Sequence, residues 1–473
     1  MIRKLTEWGL RVSIIAFAIL HFLTVFWEVD FLLFCLEISG LGLIIFSIGY
    51  FSLKKFKLPL TIFIAGIVIL LLSGHPILDG IFHGVILMRN MVGLLIVVPL
   101  ISWVLREEPY IEDVMSLFRR FIDTSKRFYG SLVIFTQIIA YFLLFGSIQM
   151  MYQFVQIILK DQSSELWENF KGTALLRGFA LSTMWVISIP SFVFAVDALG
   201  ASLWVSIMQG LGMAIVGTIM AVIYMSLKEK RLNVSFTAVI QANLEKLTEN
   251  ASPKAVQKRK VVEFFILFIT LFGTIFFIHA VFHVNLLLTI PIVIICWLIT
   301  FYLVKKRSHK LGNVAKTFVM KDILNNSYQL NVMLTVGVLI YGLRQTNFAN
   351  IVVNGFNAVE NFIPFINPLF LLPFIVIILG MVGLGPLTVM VLVAGILSSL
   401  NLPYPPELIV LSITSGSVIS ILTSPVIMPV ITLSASNGLS LFTNGIKFNW
   451  KFSILFYIVV QIYLQTMIQF WQL

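Results

Sequence analysis

Apolar runs of about 20 residues fill most of this chain, and a helix of that length spans the hydrocarbon core of a bilayer. Charged residues lie mainly in the short stretches between the runs and make up 11% of the sequence. Soluble domains carry roughly 25% charged residues, so this chain falls far outside their range. The pattern predicts an all-α polytopic membrane protein.

The net charge of +11 fits membrane topology better than nucleic-acid binding. Lys and Arg collect in five clusters along the chain, as they do in cytoplasmic loops. With eleven crossings, all five clusters fall on one side, which places the N-terminus in the cytoplasm and the C-terminus outside. We therefore expect a multi-pass protein of the cell membrane, embedded in the lipid bilayer and without a nucleic-acid partner. The sequence leaves open whether it forms a homodimer.

An internal repeat is visible when the chain is compared with itself. Three residues recur 196 positions later without a gap: Gly146 as Gly342, Gln149 as Gln345 and Pro190 as Pro386 (342−146, 345−149 and 386−190). Secondary transporters are often built from such repeats and bind their substrate where the repeat units meet. The repeat therefore predicts a transporter with two structural repeats.

The repeat and the charge clusters divide the chain into five parts. We expect N-terminal transmembrane helices in 1–57, a first repeat in 58–227, a cytoplasmic basic linker in 228–260, a second repeat in 261–433 and a C-terminal transmembrane helix in 434–473.

Each repeat contains a broken segment, 173–202 in the first and 367–401 in the second. The count of eleven crossings treats both segments as re-entrant hairpins. Whether the repeats are inverted or parallel stays open, because four crossings separate the two segments and inversion needs an odd number. The polar stretch 106–128 has apolar residues at helical spacing, which indicates an amphipathic helix on the inner membrane surface.

The broken segments are the candidate substrate site. Proline ends a helix on its N-terminal side and glycine lets the chain turn, so two half-helices are expected to meet at each break. Free N–H groups and the positive end of the helix dipole then favour an anion. The residues predicted to hold it are Ser188, Pro190 and Ser191 in the first segment and Gly383, Gly385, Pro386 and Thr388 in the second.

A run of hydroxyl side chains follows the second broken segment. Hydroxyls and the free carbonyls of an unwound helix are suitable ligands for Na⁺ as a coupling ion. Packing through small residues is the alternative role for the same run. The candidate ligands are Thr414, Ser415, Gly416, Ser417, Thr423 and Ser424. If the coupling ion is a proton, Asp197 is the predicted carrier, because it is the carboxylate well inside a broken segment.

Arginines inside the apolar runs also favour an anionic solute, since a charge buried in hydrocarbon usually has a partner or a pathway. Arg89 and Arg344 are the candidates for the substrate site, and an ion pair between Arg89 and Asp197 is the alternative. For Arg177 we expect a guanidinium that reaches out to the membrane interface from a helix end.

The predicted architecture resembles the ion transporter superfamily, which includes divalent anion–sodium symporters and related carboxylate permeases. The resemblance rests on eleven crossings, two repeats with a hairpin each, and a helix broken by Ser, Thr, Gly and Pro after the second hairpin. It covers residues 58–433 and is architectural. The hairpin tips here read Ser188-Ile-Pro190-Ser191 and Gly383-Leu-Gly385-Pro386, where the family has paired Ser-Asn-Thr motifs.

The sequence thus predicts an ion-coupled secondary transporter of a small organic or inorganic anion. It contains no Walker loop, GxSxG or HExxH motif, and neither Cys35 nor Cys296 has metal-ligand spacing. We expect no enzyme activity, no metal site and no cofactor beyond a coupling ion. Two other functions remain open: a flippase or exporter of a cell-envelope lipid or sugar, and a membrane-embedded transferase acting on a lipid-linked substrate.

Overall fold

A computed structural model describes residues 2–108, 110, 124–159, 162–248, 254–364 and 366–471. The described residues form helices and no β-strand. Within these ranges, eight helices are long and apolar enough to cross a membrane, and a pair bent by 46° at residue 88 makes a ninth if it is one span. The chain is therefore a multi-pass all-α membrane protein, while the number of eleven crossings stays a prediction.

The described helices differ widely in length. In chain order they are α1 Ile2–Phe26, α2 Asp30–Tyr50, α3 Leu53–Leu72, α4 Ile77–Leu87, α5 Arg89–Val97, α6 Ile101–Glu107, α7 Ser125–Leu143, α8 Gly146–Ile158, α9 Glu165–Ser182, α10 Pro190–Ala198, α11 Leu203–Arg231, α12 Phe236–Thr248, α13 Lys254–Phe282, α14 Leu286–Val304, α15 Ser308–Thr317, α16 Ile323–Asn325, α17 Ser327–Arg344, α18 Phe348–Phe362, α19 Pro368–Met381, α20 Pro386–Leu397, α21 Pro406–Thr423, α22 Met428–Asn437 and α23 Phe448–Trp471. Two π-helices lie at Phe318–Asp322 and Thr443–Lys447.

Apolar runs at 130–157, 328–355 and 407–433, each of which the sequence predicts as a single helix, are broken in the structure. The chain turns at Leu144, which has a φ of 48°, between α7 and α8. It also breaks between α17 and α18, and again between α21 and α22. The last break has a clear cause: Ser424 is extended because Pro425 follows it, and the residue before a proline is pushed out of the helical region. Most of the predicted surface helix 106–128 lies outside the described residues.

The chain forms two compact units, and each is built from separate stretches of sequence. Unit 1 contains Met1–Val104, Thr274–Phe365 and Val391–Leu402, and unit 2 contains Leu105–Gly273, Ile366–Met390 and Pro403–Leu473.

In unit 1, small residues allow α17 to pack closely against α3 and α4. A Cβ on Gly84 would lie 2.5 Å from the Cα of Val338, and one on Gly337 would lie 2.2 Å from the carbonyl oxygen of Gly84. Leu70, Ile81 and Val338 form the buried core at this contact. Close backbone approach through small residues is how membrane helices gain packing energy without a hydrophobic driving force.

In unit 2, the first broken segment runs along the whole of α11 and does not return. Near its start, Asn169 accepts a hydrogen bond of 2.6 Å from Lys228 at the C-terminal end of α11. Further along, a Cβ on Gly210 would lie 1.9 Å from the carbonyl oxygen of Met184, and the segment ends just before Leu203. The expected hairpin at 173–202 is therefore wrong: α9 and α10 form one interrupted passage antiparallel to α11.

The chain does reverse in the first half, but earlier. Phe145 packs against Phe179, and Tyr152 donates a hydrogen bond of 2.9 Å to Glu168. Helix α8 therefore runs antiparallel to α9 and brings the chain back from the end of α7. The reversal lies at Leu144, two residues before Gly146, the first residue of α8.

The second broken segment starts with α19, which lies beside α21 in unit 2. The two helices run in the same direction, because Leu369 contacts Ser412 near their starts and Gly380 contacts Ser424 near their ends. The chain after α19 therefore has to lead back to the start of α21, as a re-entrant hairpin would, and that hairpin stays a prediction. Each broken segment resumes at a proline, Pro190 or Pro386.

Pro373 inside α19 leaves one carbonyl without its helical donor, and two side chains replace that donor. Pro373 has no N–H to give to the carbonyl of Leu369. Instead, Ser412 donates to this oxygen over 3.0 Å and Gln461 donates over 3.1 Å. Each of the substitutions Ser412→Ala and Gln461→Ala should lower the free energy of unfolding by about 1 kcal/mol. The double variant should lose more than the sum, because the buried oxygen then has no donor. Thermal unfolding of the detergent-solubilised variants measures this, and strictly additive losses would contradict it.

Candidate functional site

Two helix breaks lie side by side in unit 2. The turn 382–385 of the second broken segment faces the break 424–427 between α21 and α22. Ser424 donates a hydrogen bond of 2.9 Å to the carbonyl oxygen of Gly380, and a Cβ on Gly383 would lie 3.7 Å from the side chain of Val426. The structure thus places Gly383 of the predicted substrate site and Ser424 of the predicted ion site next to each other. Peptide groups that no helix satisfies concentrate here.

The turn depends on one glycine and not on the other. Gly383 has a φ of 104°, which side chains strongly disfavour, whereas Gly385 has open space around its Cα and no positive φ. Gly383→Ala should lower the free energy of unfolding by about 1–2 kcal/mol, and Gly385→Ala should leave it within about 0.5 kcal/mol. Thermal unfolding of the two single variants in detergent compares them directly. Equal losses would mean that the turn does not hold this backbone shape.

The first break is fixed to α7. Ser188 lies in the turn between α9 and α10, is buried and donates its hydroxyl to the carbonyl oxygen of Tyr141. Pro190 is the first residue of α10, and Ser191 is buried beside it. Thr388 is buried in the first turn of α20. Helices α10 and α19 both pack against α21, so α21 is the element that the two broken segments share.

The hydroxyl run lies on a regular helix. Helix α21 continues through Thr414, Ser415, Gly416 and Ser417 and ends at Thr423, so the expected unwinding there is wrong. The hydroxyls of Thr414, Ser415 and Thr423 donate to carbonyls three or four residues earlier on the same helix. Gly416 serves packing, since a Cβ there would lie 2.7 Å from the carbonyl oxygen of Pro373. The residue of this set at a helix break is Ser424.

The predicted arginines of the substrate site have other partners in unit 1. Arg89 lies 3.4 Å from Glu28. Arg344 donates to the carbonyl oxygen of Gly395 and to Ser398 at the C-terminal end of α20. Lone carbonyls at a helix end attract such a cation, so Arg344 acts as a cap. Asp197, in unit 2, is half-buried in the last turn of α10.

The charges that are buried in unit 2 lie on α9. Among the described side chains, four charged residues are buried: Arg11 in unit 1, and Glu168, Lys171 and Arg177 within ten positions of each other on α9. Arg177 is 1% exposed, so it does not reach out to the interface as expected. It donates 3.1 Å to the side-chain oxygen of Asn449, which belongs to α23. It also donates 3.1 Å to the hydroxyl of Tyr129 and 3.4 Å to the carbonyl oxygen of Phe448.

The partners that the structure gives Arg177 are all uncharged. Besides its three hydrogen bonds, the guanidinium lies over the ring of Phe452 at 4.3 Å and over that of Tyr224 at 5.1 Å. Aromatic faces stabilise a desolvated cation by about 2 kcal/mol at most and carry no charge. The positive charge of Arg177 is therefore held in place without being neutralised by a carboxylate.

A short chain of contacts joins Arg177 to the helix break. Asn449 accepts from Arg177 through its oxygen and donates from its nitrogen to the carbonyls of Asn444, at 2.9 Å, and Gly445, at 3.2 Å. Gly445 in turn packs close to the carbonyl oxygen of Thr423, the last residue before the break. The π-helix 443–447 therefore lies between the buried arginine and the end of α21.

Glu168 and Lys171 form a buried ion pair one turn apart on α9. Glu168 is 3% exposed and Lys171 is fully buried. Tyr152 of α8 donates 2.9 Å to the second oxygen of Glu168 and accepts 2.7 Å from Gln156. Lys171 also donates 2.8 Å to the carbonyl oxygen of Gln162. The pair is thus enclosed by hydrogen bonds, as a buried charge pair needs to be.

A cavity of about 600 Å³ opens beside this pair, between α8 and α22. One wall is a stripe of amide side chains on α8 and the other is the hydroxyl-bearing face of α22. The lining residues are Gln149, Tyr152, Gln153, Gln156, Met428, Ile431, Thr432, Ala435 and Ser436. The lining includes Met428, the first residue of α22 after the break, and Tyr152, which contacts Glu168. A site of this size accommodates a small solute.

No family model matches this sequence, and no curated protein matches it.

Proposed function

We propose that this chain is an ion-coupled secondary transporter of a small anion across the cytoplasmic membrane. The observation that carries the proposal is the contact between the turn 382–385 and the break 424–427, to which Asn449 and the π-helix link the buried charge of Arg177. Non-helical backbone at membrane depth is tolerated where protein or a water-filled cavity covers it, and transporters place their substrate sites at such breaks. The cavity along α22 supplies the aqueous space.

The charges around this region favour an anion. The buried side chains on α9 are two cations and one carboxylate, and Lys228 adds a further cation, whose amine donates to Asn169. Helix α22 also begins at the break, so its free N–H groups and positive dipole end point toward it. An anionic solute would neutralise charge that the protein leaves unbalanced.

The order of elements supports the proposed repeat. Helices α7 to α11 and α17 to α21 each comprise a helix, a short amphipathic helix, a broken pair that resumes at a proline, and a further helix. In both halves a glycine on the last helix packs against the backbone of the broken pair, Gly210 in the first and Gly416 in the second. The two broken pairs differ in path: α9 and α10 form one interrupted passage, and we propose that α19 and α20 form a hairpin that returns to its starting end. We infer two related repeats that have diverged in direction.

A selectivity screen tests the proposed function. The purified chain is reconstituted in phospholipid vesicles, and uptake is compared for labelled succinate, citrate, lactate, sulfate and phosphate, with glucose and choline as neutral and cationic comparisons. We expect saturable uptake of at least one anion above protein-free vesicles, and none of glucose or choline. A clear preference for glucose or choline would overturn the proposal.

A further inference from the structure

We propose that Glu168 is the proton-binding group of this transporter and that protons reach it from the cavity through Tyr152. The inference rests on the proposed function, because it identifies the coupling ion of that same transporter. It replaces both positions that the sequence suggested for the coupling ion, the hydroxyl run of α21 and Asp197.

Glu168 combines burial with a connection to water. It is the buried carboxylate among the described side chains, at 3% exposure. Yet its hydrogen-bond partner Tyr152 lines the cavity of about 600 Å³, and so does Gln156, which donates to the tyrosine hydroxyl. A single side chain therefore separates the carboxylate from a space that water can fill.

The tyrosine hydroxyl can pass a proton inward without a change in its own charge. Tyr152 already donates its proton to Glu168 over 2.9 Å. As that proton moves to the carboxylate, the phenol oxygen takes another from a water molecule in the cavity, which passes on the proton it received from solution. The products are a neutral carboxylic acid and an unchanged tyrosine. Lys171 loses its ion pair but keeps its 2.8 Å hydrogen bond to the carbonyl oxygen of Gln162.

Protonation of Glu168 would strengthen anion binding, because it removes the negative charge of the Glu168 carboxylate. Lys171 and Arg177 would then be buried with no carboxylate beside them. Arg177 is nine positions further along α9, roughly 13 Å away at 1.5 Å per residue, a distance over which charges interact appreciably where water is excluded. Linkage is reciprocal, so a bound anion would raise the affinity of Glu168 for a proton by the same factor.

The charged and titratable groups near Glu168 lie on several helices. Helix α8 contributes Tyr152, and α22 contributes no ionisable group. The others include Glu165, Lys171 and Arg177 on α9 itself, Tyr129 on α7, Tyr224, Lys228 and Glu229 on α11, and Lys447 in the π-helix, which pairs with Glu165 at 2.6 Å. The side chains of Glu245 and Lys246 on α12 lie outside the described ones. The cations of this set are the charges that a bound anion would compensate.

Asp197 and the hydroxyl run suit this role less well. Asp197 is half-buried, and the cavity wall does not include it. On α21, the backbone carbonyls between Thr414 and Ser417 belong to a regular helix, so they are not free to complete a sodium shell.

Infrared difference spectroscopy tests the proton site without a substrate. The full chain in nanodiscs of phosphatidylcholine and phosphatidylglycerol is cycled between about pH 8 and about pH 5, and the C=O stretch of a carboxylic acid shielded from water is recorded. Glu168→Gln alone would leave Lys171 buried without a counter-charge, so the double variant Glu168→Gln/Lys171→Gln is measured beside it. We expect the band in the wild type and in Asp197→Asn, and its loss in the double variant. An unchanged band in the double variant, or no band in the wild type, would overturn the proposal.

Uptake measurements then separate the proton site from the transport function. Vesicles containing a trapped pH dye are exposed to potassium succinate, lactate or sulfate with and without an inward proton gradient. We expect the gradient to stimulate wild-type uptake several-fold, and to leave the uptake of the double variant unchanged from its own level without a gradient. Uptake stimulated equally in both proteins would overturn the role of Glu168 and leave the anion transporter standing. Loss of the infrared band without uptake of any anion would uphold the proton site and remove the transport function.

Discussion

Arg177→Gln should lower the apparent affinity for a transported anion by about 10- to 100-fold. The variant loses one buried positive charge, which Asn449 and the π-helix link to the paired breaks. An interaction with a charged donor contributes about 1.5–3 kcal/mol, and 1.4 kcal/mol corresponds to a factor of ten in affinity. Glutamine can still donate to Asn449 or Tyr129, which lie 3.1 Å from the guanidinium. The folded state should therefore persist, and concentration-dependent uptake into vesicles measures the effect.

Arg89→Gln is the matched control for this prediction. Arg89 also lies in an apolar run, but its side chain is 21% exposed and its partner Glu28 is 70% exposed. An ion pair with so much access to water contributes about 1 kcal/mol or less. Uptake by Arg89→Gln should stay within about twofold of the wild type. If Arg89→Gln abolished uptake while Arg177→Gln left it unchanged, the assignment of the anion site to unit 2 would be wrong.

Gly210→Ala should lower the free energy of unfolding by about 3 kcal/mol, because overpacking against a backbone atom forces one of the two segments to move. A Cβ at this position would lie 1.9 Å from the carbonyl oxygen of Met184 and 2.7 Å from its carbonyl carbon. Met184 belongs to the turn between α9 and α10, so the displacement would act on the first helix break. Thermal unfolding in detergent, followed by circular dichroism, measures the loss.

Gly212→Ala controls for the change of helix propensity at the same helix. Gly212 lies two residues further along α11, and a Cβ there would meet nothing within 4 Å. Alanine in place of glycine should raise the free energy of unfolding by up to about 1 kcal/mol. The two variants should therefore move in opposite directions. A loss of similar size at both positions would show that α11 is not packed against the turn as described.

The sequence allowed the class of fold and the positions of the proline breaks to be predicted. Apolar runs determine membrane helices because a helix satisfies its own backbone in lipid. Pro190 and Pro386 each begin a helix after a non-helical turn, since proline needs no amide partner at the first helical position. These signals are local, so residue type alone reveals them.

The direction of each segment could not be predicted, because it depends on contacts between distant residues. Gly146 beside the reversal at Leu144 does not show by itself which way the chain turns, and the hydrogen bond between Asn169 and Lys228 shows that the segment from α9 to α10 continues along α11. A hairpin and an interrupted passage have the same local sequence pattern. Only the contacts with a neighbouring helix show which of the two a segment forms.

The sequence analysis did not single out Glu168 and Lys171, and it placed Arg177 at the membrane interface. In the structure, α9 carries Glu168, Lys171 and Arg177 on a helix that is buried on all sides. One signal was available: apolar residues lie on every side of this helix, and a helix that is apolar all round is typically buried. The spacing of Glu168 and Lys171 is also that of a helical ion pair.

Concentrative uptake of an anion tests the central claim most directly. Vesicles containing the wild-type chain receive the anion that the selectivity screen identifies, labelled and at equal concentration on both sides, and an inward proton gradient is then imposed. The account predicts that the anion accumulates inside above its external concentration and that an ionophore which collapses the gradient releases it. An anion that remains equilibrated under the gradient, with Arg177→Gln indistinguishable from the wild type, would contradict an ion-coupled anion transporter.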